Sequence, residues 1–334
     1  MIDFLTYEVK TISNIMKESL LVKPDKFNSV THTHYWSYKN NKFFSKNYLS
    51  KIKSFFKYVV NKLFLNNLGY QIVQKFSNYR KDVRSYSKNL EILSLRNTQI
   101  SDYLFQFGLG FGVEFEKIKL LNSIERYEEI FRHSKIRDSN GGFGFNNGLF
   151  FYVLISHFQP KKILESGVWR GYSTFLIDEA TSVDSKIISF DINLGKREFI
   201  SKKASYFESD LSLVSTVNFS KIDFALFDDH VSIYDRLKFS LKNEIEIVIV
   251  DDDLGVSQVH SDPWPPIPTA SMIYNYEKIP KKFDWICNGN LANADINGLE
   301  VDDIRKNYNY IPFPQLGEFT GYQDTSFTSL LLKR

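Results

Sequence analysis

The sequence predicts an α/β fold: a mostly parallel sheet with an antiparallel terminal strand and helices on both faces, plus a mainly helical amino-terminal region. Three observations predict it. Short apolar runs recur at 161–165, 186–191, 204–208, 222–228 and 245–251, with helical segments between most of them. Such alternation builds parallel sheets whose ligands gather at the carboxyl ends of the strands. The stretch Ile163-Leu164-Glu165-Ser166-Gly167-Val168-Trp169-Arg170-Gly171-Tyr172-Ser173-Thr174 reads as a buried strand, a glycine turn and a helix over 173–179. Charge, finally, divides the chain: residues 1–100 carry 17 Lys+Arg against 6 Asp+Glu, and the remainder 25 against 33. The expected division is a basic, mainly helical region over 1–140 and a sheet-bearing domain over 141–334.

Within the basic region, Ile52, Phe55, Phe56, Val59, Val60, Leu63 and Phe64 follow helical spacing over 51–68, with Lys53, Lys57 and Lys62 between them. Such a helix packs its apolar stripe on a neighbour; the sharper reading is peripheral contact with an anionic membrane or partner. No nucleic-acid motif accompanies the basic residues. Residues 135–148 read as a loop, with glycines at 141, 142, 144 and 148, leading into an apolar helix over 149–157 that Pro160 helps to end.

After the strand run, the pattern breaks into an insertion at about 254–300. Its prolines in His260-Ser261-Asp262-Pro263-Trp264-Pro265-Pro266-Ile267-Pro268 argue against regular structure there. Strands near 310–313 and 325–332 close the sheet.

Composition sets limits. With 43% hydrophobic and 24% charged residues, the chain is an ordinary globular one. The single cysteine, Cys287, excludes an internal disulfide framework and a multi-cysteine zinc site. Residues 1–21 lack a basic start followed by an apolar run, and no stretch of about 18 apolar residues exists. A cytoplasmic location, with or without peripheral membrane contact, is the expectation.

The chemistry concentrates at strand ends. Gly167 and Gly171 allow a sharp turn and leave room for a ligand against the backbone. Glu165, just before the turn, opposes a phosphate but suits a cationic amino-acid moiety, which points to S-adenosylmethionine over a dinucleotide. The missing Gly-x-Gly-x-x-Gly likewise argues against a nicotinamide-dependent oxidoreductase. Two further ends, Phe227-Asp228-Asp229-His230 and Val250-Asp251-Asp252-Asp253, bring five carboxylates to one sheet edge. They repel unless a cation or protons neutralise them. Hard oxygen donors favour Mg²⁺, Mn²⁺ or Ca²⁺ over zinc. His32 and His34 form a His-x-His pair with no further ligand in view.

Gln159-Pro160-Lys161-Lys162-Ile163-Leu164-Glu165-Ser166-Gly167 and Gly171-Tyr172-Ser173, behind the helix that opens near 149, resemble the cofactor half of catechol O-methyltransferase-like enzymes. These are class I S-adenosylmethionine-dependent methyltransferases with a Rossmann-like sheet, many of them metal-dependent. The resemblance runs over about 146–253. It implies that Glu165 and Gly167 border the methionine part of the cofactor, with Gly171, Tyr172 and Ser173 beside it. Asp191 would accept hydrogen bonds from the ribose hydroxyls and Asp210 would reach the adenine amino group. In that family the last two strand ends bind Mg²⁺, so Asp229, Asp251 and Asp252 are the expected ligands of Mg²⁺ or another divalent cation.

One position departs. The family's lysine base, two residues after the histidine, is Ser232 here. His230 and His260 are therefore the candidate bases, alongside Asp229 in the catalytic group. The activity implied is O-methyl transfer to a hydroxyl of a small molecule or sugar, in a chain that can form homo-oligomers. The alternative is a non-catalytic methyltransferase-fold scaffold or membrane-peripheral binding protein.

Overall fold

The computed structural model describes residues 90–134, 136, 143–214, 217–262, 264–287, 289–296, 299–322, 324 and 328–334. The compact unit that holds them begins at Tyr86. The basic helix expected over 51–68, the His32/His34 pair and the glycines at 141 and 142 lie outside the described residues.

Two helices precede the sheet. Helix α1 (Leu90–Phe111) buries Leu93, Asn97, Ile100, Ser101, Leu104 and Gly108, a stripe at three- and four-residue spacing. Helix α2 (Lys117–His133) buries Leu120, Ile124, Tyr127, Ile130 and Phe131 in the same way. Between them Glu128, 4% exposed, pairs with Arg96 of α1 and with Arg132, 2.9 Å away. Helix α3 (Phe145–Phe158) is buried nearly all round because it forms the middle of three layers. Tyr127 of α2 donates a hydrogen bond to the Phe145 carbonyl at 2.9 Å. Gly148 is glycine for the same contact, since a Cβ there would sit 2.5 Å from the Tyr127 hydroxyl. Residues 90–133, which the charge count groups with the amino-terminal region, thus pack onto the helix that opens the sheet domain.

The chain continues through β1 (Lys162–Ser166), α4 (Tyr172–Ala180), β2 (Lys186–Asp191), β3 (Ala204–Glu208), β4 (Phe224–Phe227), α5 (Ile233–Lys242) and β5 (Ile247–Val250). After these come α6 (Ala270–Asn275), β6 (Lys282–Cys287), β7 (Asn290–Asp295), α7 (Asp302–Asn307), β8 (Tyr308–Pro312), α8 (Gly317–Thr320) and β9 (Ser329–Lys333). Seven strands form one sheet in the order β3-β2-β1-β4-β5-β9-β8, and β6-β7 form a separate hairpin. Strands β1 to β5 are parallel, while β9 runs antiparallel to both neighbours. The expected Rossmann-like sheet with an antiparallel terminal strand is what the chain forms.

Period-two alternation sorts the side chains. Leu164, Phe190, Phe227, Val248 and Leu331 face Ile233 and Leu237 of α5, Ile273 of α6 and Ile304 of α7. The opposite face meets α3 and α4, as the Phe151 and Phe224 rings and the Glu165 to Thr174 hydrogen bonds illustrate.

The insertion corrects an expectation. Residues 264–268 are irregular, but a 3-10 turn (Val256–Ser261), α6 and the β6-β7 hairpin lie on either side of them. Strand β6 alternates, burying Phe283, Trp285 and Cys287 against Val259, Ile267, Met272 and Ile296 in a second small core.

Candidate active site

The carboxyl ends of β1, β2, β4 and β5 form one edge. Register places Ser166 beside Phe227 and Phe227 beside Val250. The ladder runs one residue further: the Asp228 amide donates to the Ser166 carbonyl at 2.8 Å, and the Asp251 amide to Phe227 at 2.9 Å. The expected acids are therefore brought to one place by strand pairing alone.

On the β1-β2 side the chain uses its polar groups on itself. Glu165 is fully buried and accepts from Ser173 Oγ at 2.7 Å, from Thr174 Oγ1 at 2.8 and 2.9 Å and from Ser189 Oγ at 2.7 Å. Burial pushes its carboxyl up, against the pull of those hydroxyls. Ser173 thus points to Glu165, and Tyr172 is buried with its hydroxyl 3.2 Å from that of Tyr127. Asp191 accepts from the amides of Val168 and Trp169 at 2.8 and 2.7 Å and from Asn193 at 2.7 Å. It holds the glycine turn from the half-buried end of β2.

The space at the glycines is filled by protein. A Cβ on Gly167, which has φ +96°, would lie 2.0 Å from the Asp228 carbonyl oxygen, and one on Gly171, with φ +86°, 3.0 Å from that of Phe199. In the Cβ direction the neighbours are the β4 end at Gly167 and the 199 backbone at Gly171.

The β4-β5 side is different. Asp228, His230 and Asp252 each offer a donor atom within 4.8 Å of the others. Burial, then the charges of Asp251, Asp252 and Asp229, push the Asp228 carboxyl well above the usual range. Burial raises Asp252 to about 6, with His230 pulling against it. His230 and Asp252 both adopt left-handed backbone, φ +55° and +54°, a costly conformation for residues with a Cβ. His230 Nδ1 lies 3.0 Å from the Trp264 carbonyl and 3.4 Å from Asp252, so the insertion helps to orient the ring.

Of the three expected cation ligands, only Asp252 stands in this group. Asp229 is held by Arg236, whose Nε and Nη2 lie 2.9 and 2.8 Å from its Oδ2, and it also accepts from the Ser166 hydroxyl. Asp251, 3% exposed, accepts from Thr328, which in turn receives Asn147 Nδ2 at 2.9 Å. Asp253 is buried and accepts from the Ser271 amide at 2.6 Å, from Tyr310 at 2.9 Å and from Ser329. Asp210 caps the turn Leu211–Leu213 and pairs with Arg236 at 3.1 Å. Burial raises its carboxyl, but Ser212 and Arg236 outweigh that and leave it below the usual range. His260 is exposed on the turn Val256–Ser261 and does not join the group. Asp228 and Arg236 are the residues that sequence reasoning underused; an arginine seven residues past a paired acid was the available signal.

The O-methyltransferase family model matches residues 129–253, from within α2 to the acids after β5. Over this segment the chain is similar to the O-methyltransferases. The matched segment covers every strand end described above. No curated protein sequence matches the chain.

Among solved structures, an O-methyltransferase from Bacillus cereus in complex with S-adenosylhomocysteine is 13% identical, with a TM-score of 0.35 over 69% of this chain and 97% of that one. The Streptomyces achromogenes O-methyltransferase involved in tomaymycin synthesis, in complex with S-adenosylmethionine, is 14% identical at a TM-score of 0.36, over 64% and 90%. A methyltransferase of Podospora anserina bound to S-adenosylhomocysteine is 11% identical at 0.36, over 64% and 88%. Among the described residues no helix is long and apolar enough to cross a membrane.

Proposed function

We propose that the protein transfers a methyl group from S-adenosylmethionine to a hydroxyl oxygen of a small molecule or sugar, assisted by a divalent cation at Asp228, His230 and Asp252. The observation that carries the reading is this group of three donors within 4.8 Å, at adjacent strand ends inside the methyltransferase segment. Its chemistry fits a cation: burial drives both carboxylates toward protonation, with neighbouring acids adding to the push on Asp228, and opposite charge relieves that directly. An imidazole among the donors shifts the preference from Mg²⁺, which favours all-oxygen sites, toward Mn²⁺ or a related transition ion.

A cation held there would lower the pKa of a hydroxyl bound to it, so that its proton could pass to water near neutral pH, and would fix the oxygen's position. The chain's own residues do the rest. Asp191, at the end of β2, is our candidate for the ribose hydroxyls; two amide bonds hold the glycine turn against it, and a carboxylate has lone pairs for further donors. Glu165 supports the turn from beneath through Ser173 and Thr174. Trp264, 73% exposed and linked through its carbonyl to His230, is an aromatic residue anchored to the cation group. An aromatic face suits a sugar ring, which favours a polyhydroxyl acceptor over a catechol.

The test is calorimetric titration of S-adenosylhomocysteine into the full chain, with Mn²⁺ and with EDTA, followed by turnover with hydroxylated acceptors. Micromolar binding under both conditions and turnover only with the cation are expected. Absence of S-adenosylhomocysteine binding under both would overturn the reading.

A further inference from the structure

Two acids follow one another at the end of β4, and the structure treats them oppositely. Asp228 faces His230 and Asp252. Asp229 turns to Arg236, a side chain only 3% exposed on the first turn of α5. The same guanidinium reaches Asp210, after β3, at 3.1 Å. Asp229 Oδ2 takes both Arg236 contacts and the Ser166 hydroxyl, and its Oδ1 takes the Val231 amide at 3.2 Å. A carboxylate with so many donors around it, and a full opposite charge beside it, has little left to offer a metal.

We propose that Arg236 is a positioning residue that assigns the roles of the paired aspartates, clamping Asp229 between itself and Ser166 so that Asp228 is the one turned to the cation. The assignment rests on the cation reading above and deepens it. Two physical points support it. A buried arginine must keep its acid partners, because an uncompensated charge of either sign is costly there. The two guanidinium nitrogens converging on Oδ2 also fix where Asp229 lies, and with it the backbone on which Asp228 and the left-handed His230 are set.

The arrangement predicts an outcome that a purely structural arginine would not produce. Without Arg236, Asp229 becomes available as a further anionic donor, and cation affinity rises rather than falls. A second acid change then cancels the gain.

The experiment measures Mn²⁺ binding to the full chain from the loss of the free-ion electron paramagnetic resonance signal, with no cofactor or acceptor present. Asp228→Asn is expected to weaken Mn²⁺ on the order of a hundredfold, and Asp229→Asn by no more than about threefold. Arg236→Met is expected to tighten Mn²⁺ about tenfold, and the Arg236→Met/Asp229→Asn pair to return it to near the wild-type value. If Arg236→Met does not accumulate as folded protein, the contrast between Asp228→Asn and Asp229→Asn decides alone, because Asp229→Asn keeps Arg236 with Asp210. An Asp229→Asn loss as large as that of Asp228→Asn would overturn the assignment while leaving the cation reading in place. A wild-type chain that binds no Mn²⁺ would overturn both.

Discussion

The β1-β2 half and the β4-β5 half of the sheet edge carry similar numbers of polar groups and use them in opposite ways. Around Glu165 and Asp191 the donors and acceptors are spent on the chain itself, with three hydroxyls on one carboxylate and three amides on the other. Around Asp228 and Asp252 burial pushes the carboxylates toward protonation, with neighbouring acids adding to it at Asp228. The first half is a finished piece of architecture that shapes a turn. The second is held in a state that a cation would relieve, and the difference separates a half braced by its own hydrogen bonds from a half that needs a counter-charge.

If that contrast is right, changes in the first half cost stability before they cost affinity. Gly167→Ala should be the most damaging, at least about 4 kcal/mol, because its Cβ meets the Asp228 backbone and the φ is left-handed. Thermal unfolding checks it; a variant that melts within a few degrees of wild type would place the Asp228 carbonyl elsewhere.

Glu165→Ala comes next, at about 3 kcal/mol, since three buried hydroxyls lose their acceptor. A pH series sharpens this. Burial raises the folded-state pKa of Glu165, so the native chain holds that proton more tightly than the unfolded chain. Its contribution is full below the ordinary glutamate range and is lost as pH rises through the raised folded value. Glu165→Gln should flatten that part of the curve in urea titrations, and an unchanged slope would count against a buried, ionising Glu165.

The second half should instead respond to cation. Mn²⁺ at a hundred times its dissociation constant is expected to stabilise the chain by about 2.7 kcal/mol, and Asp252→Asn to remove most of that gain without lowering the metal-free melting temperature. A metal-free Asp252→Asn chain that melts earlier would mean that the carboxylate supports the fold. The smallest effect expected is for Asn147→Ala, about 1 kcal/mol. It severs the link from α3 through Thr328 to Asp251, and calorimetric melting can resolve it.

The strands were legible because each is a short apolar run bounded by polar residues, and 186–191 and 204–208 coincide with β2 and β3. The hairpin at 282–295 was not read. Its signal, the alternation Lys-Phe-Asp-Trp-Ile-Cys, was present but followed a proline cluster that dominates the local pattern. Within the site, the sequence shows which strand ends carry acids, since that follows from order along the chain. It does not show which of two neighbouring acids faces inward. That depends on Arg236 reaching back from a helix to Asp229, and on Thr328 arriving from the far end of the domain to meet Asp251. The glycine turn was read correctly as a turn, yet its need for glycine comes from the approach of the β4 backbone, a contact between segments about 60 residues apart.

Strand β9 lies between β5 and β8 although it is the last of the sheet to be made. During synthesis, β5 and β8 therefore both present open edges until residues 329–333 have left the ribosome exit tunnel. The seven-stranded sheet closes only after translation has passed those residues. A nascent chain stalled or cleaved before them would carry two unpaired strand edges, each open to pairing with another chain.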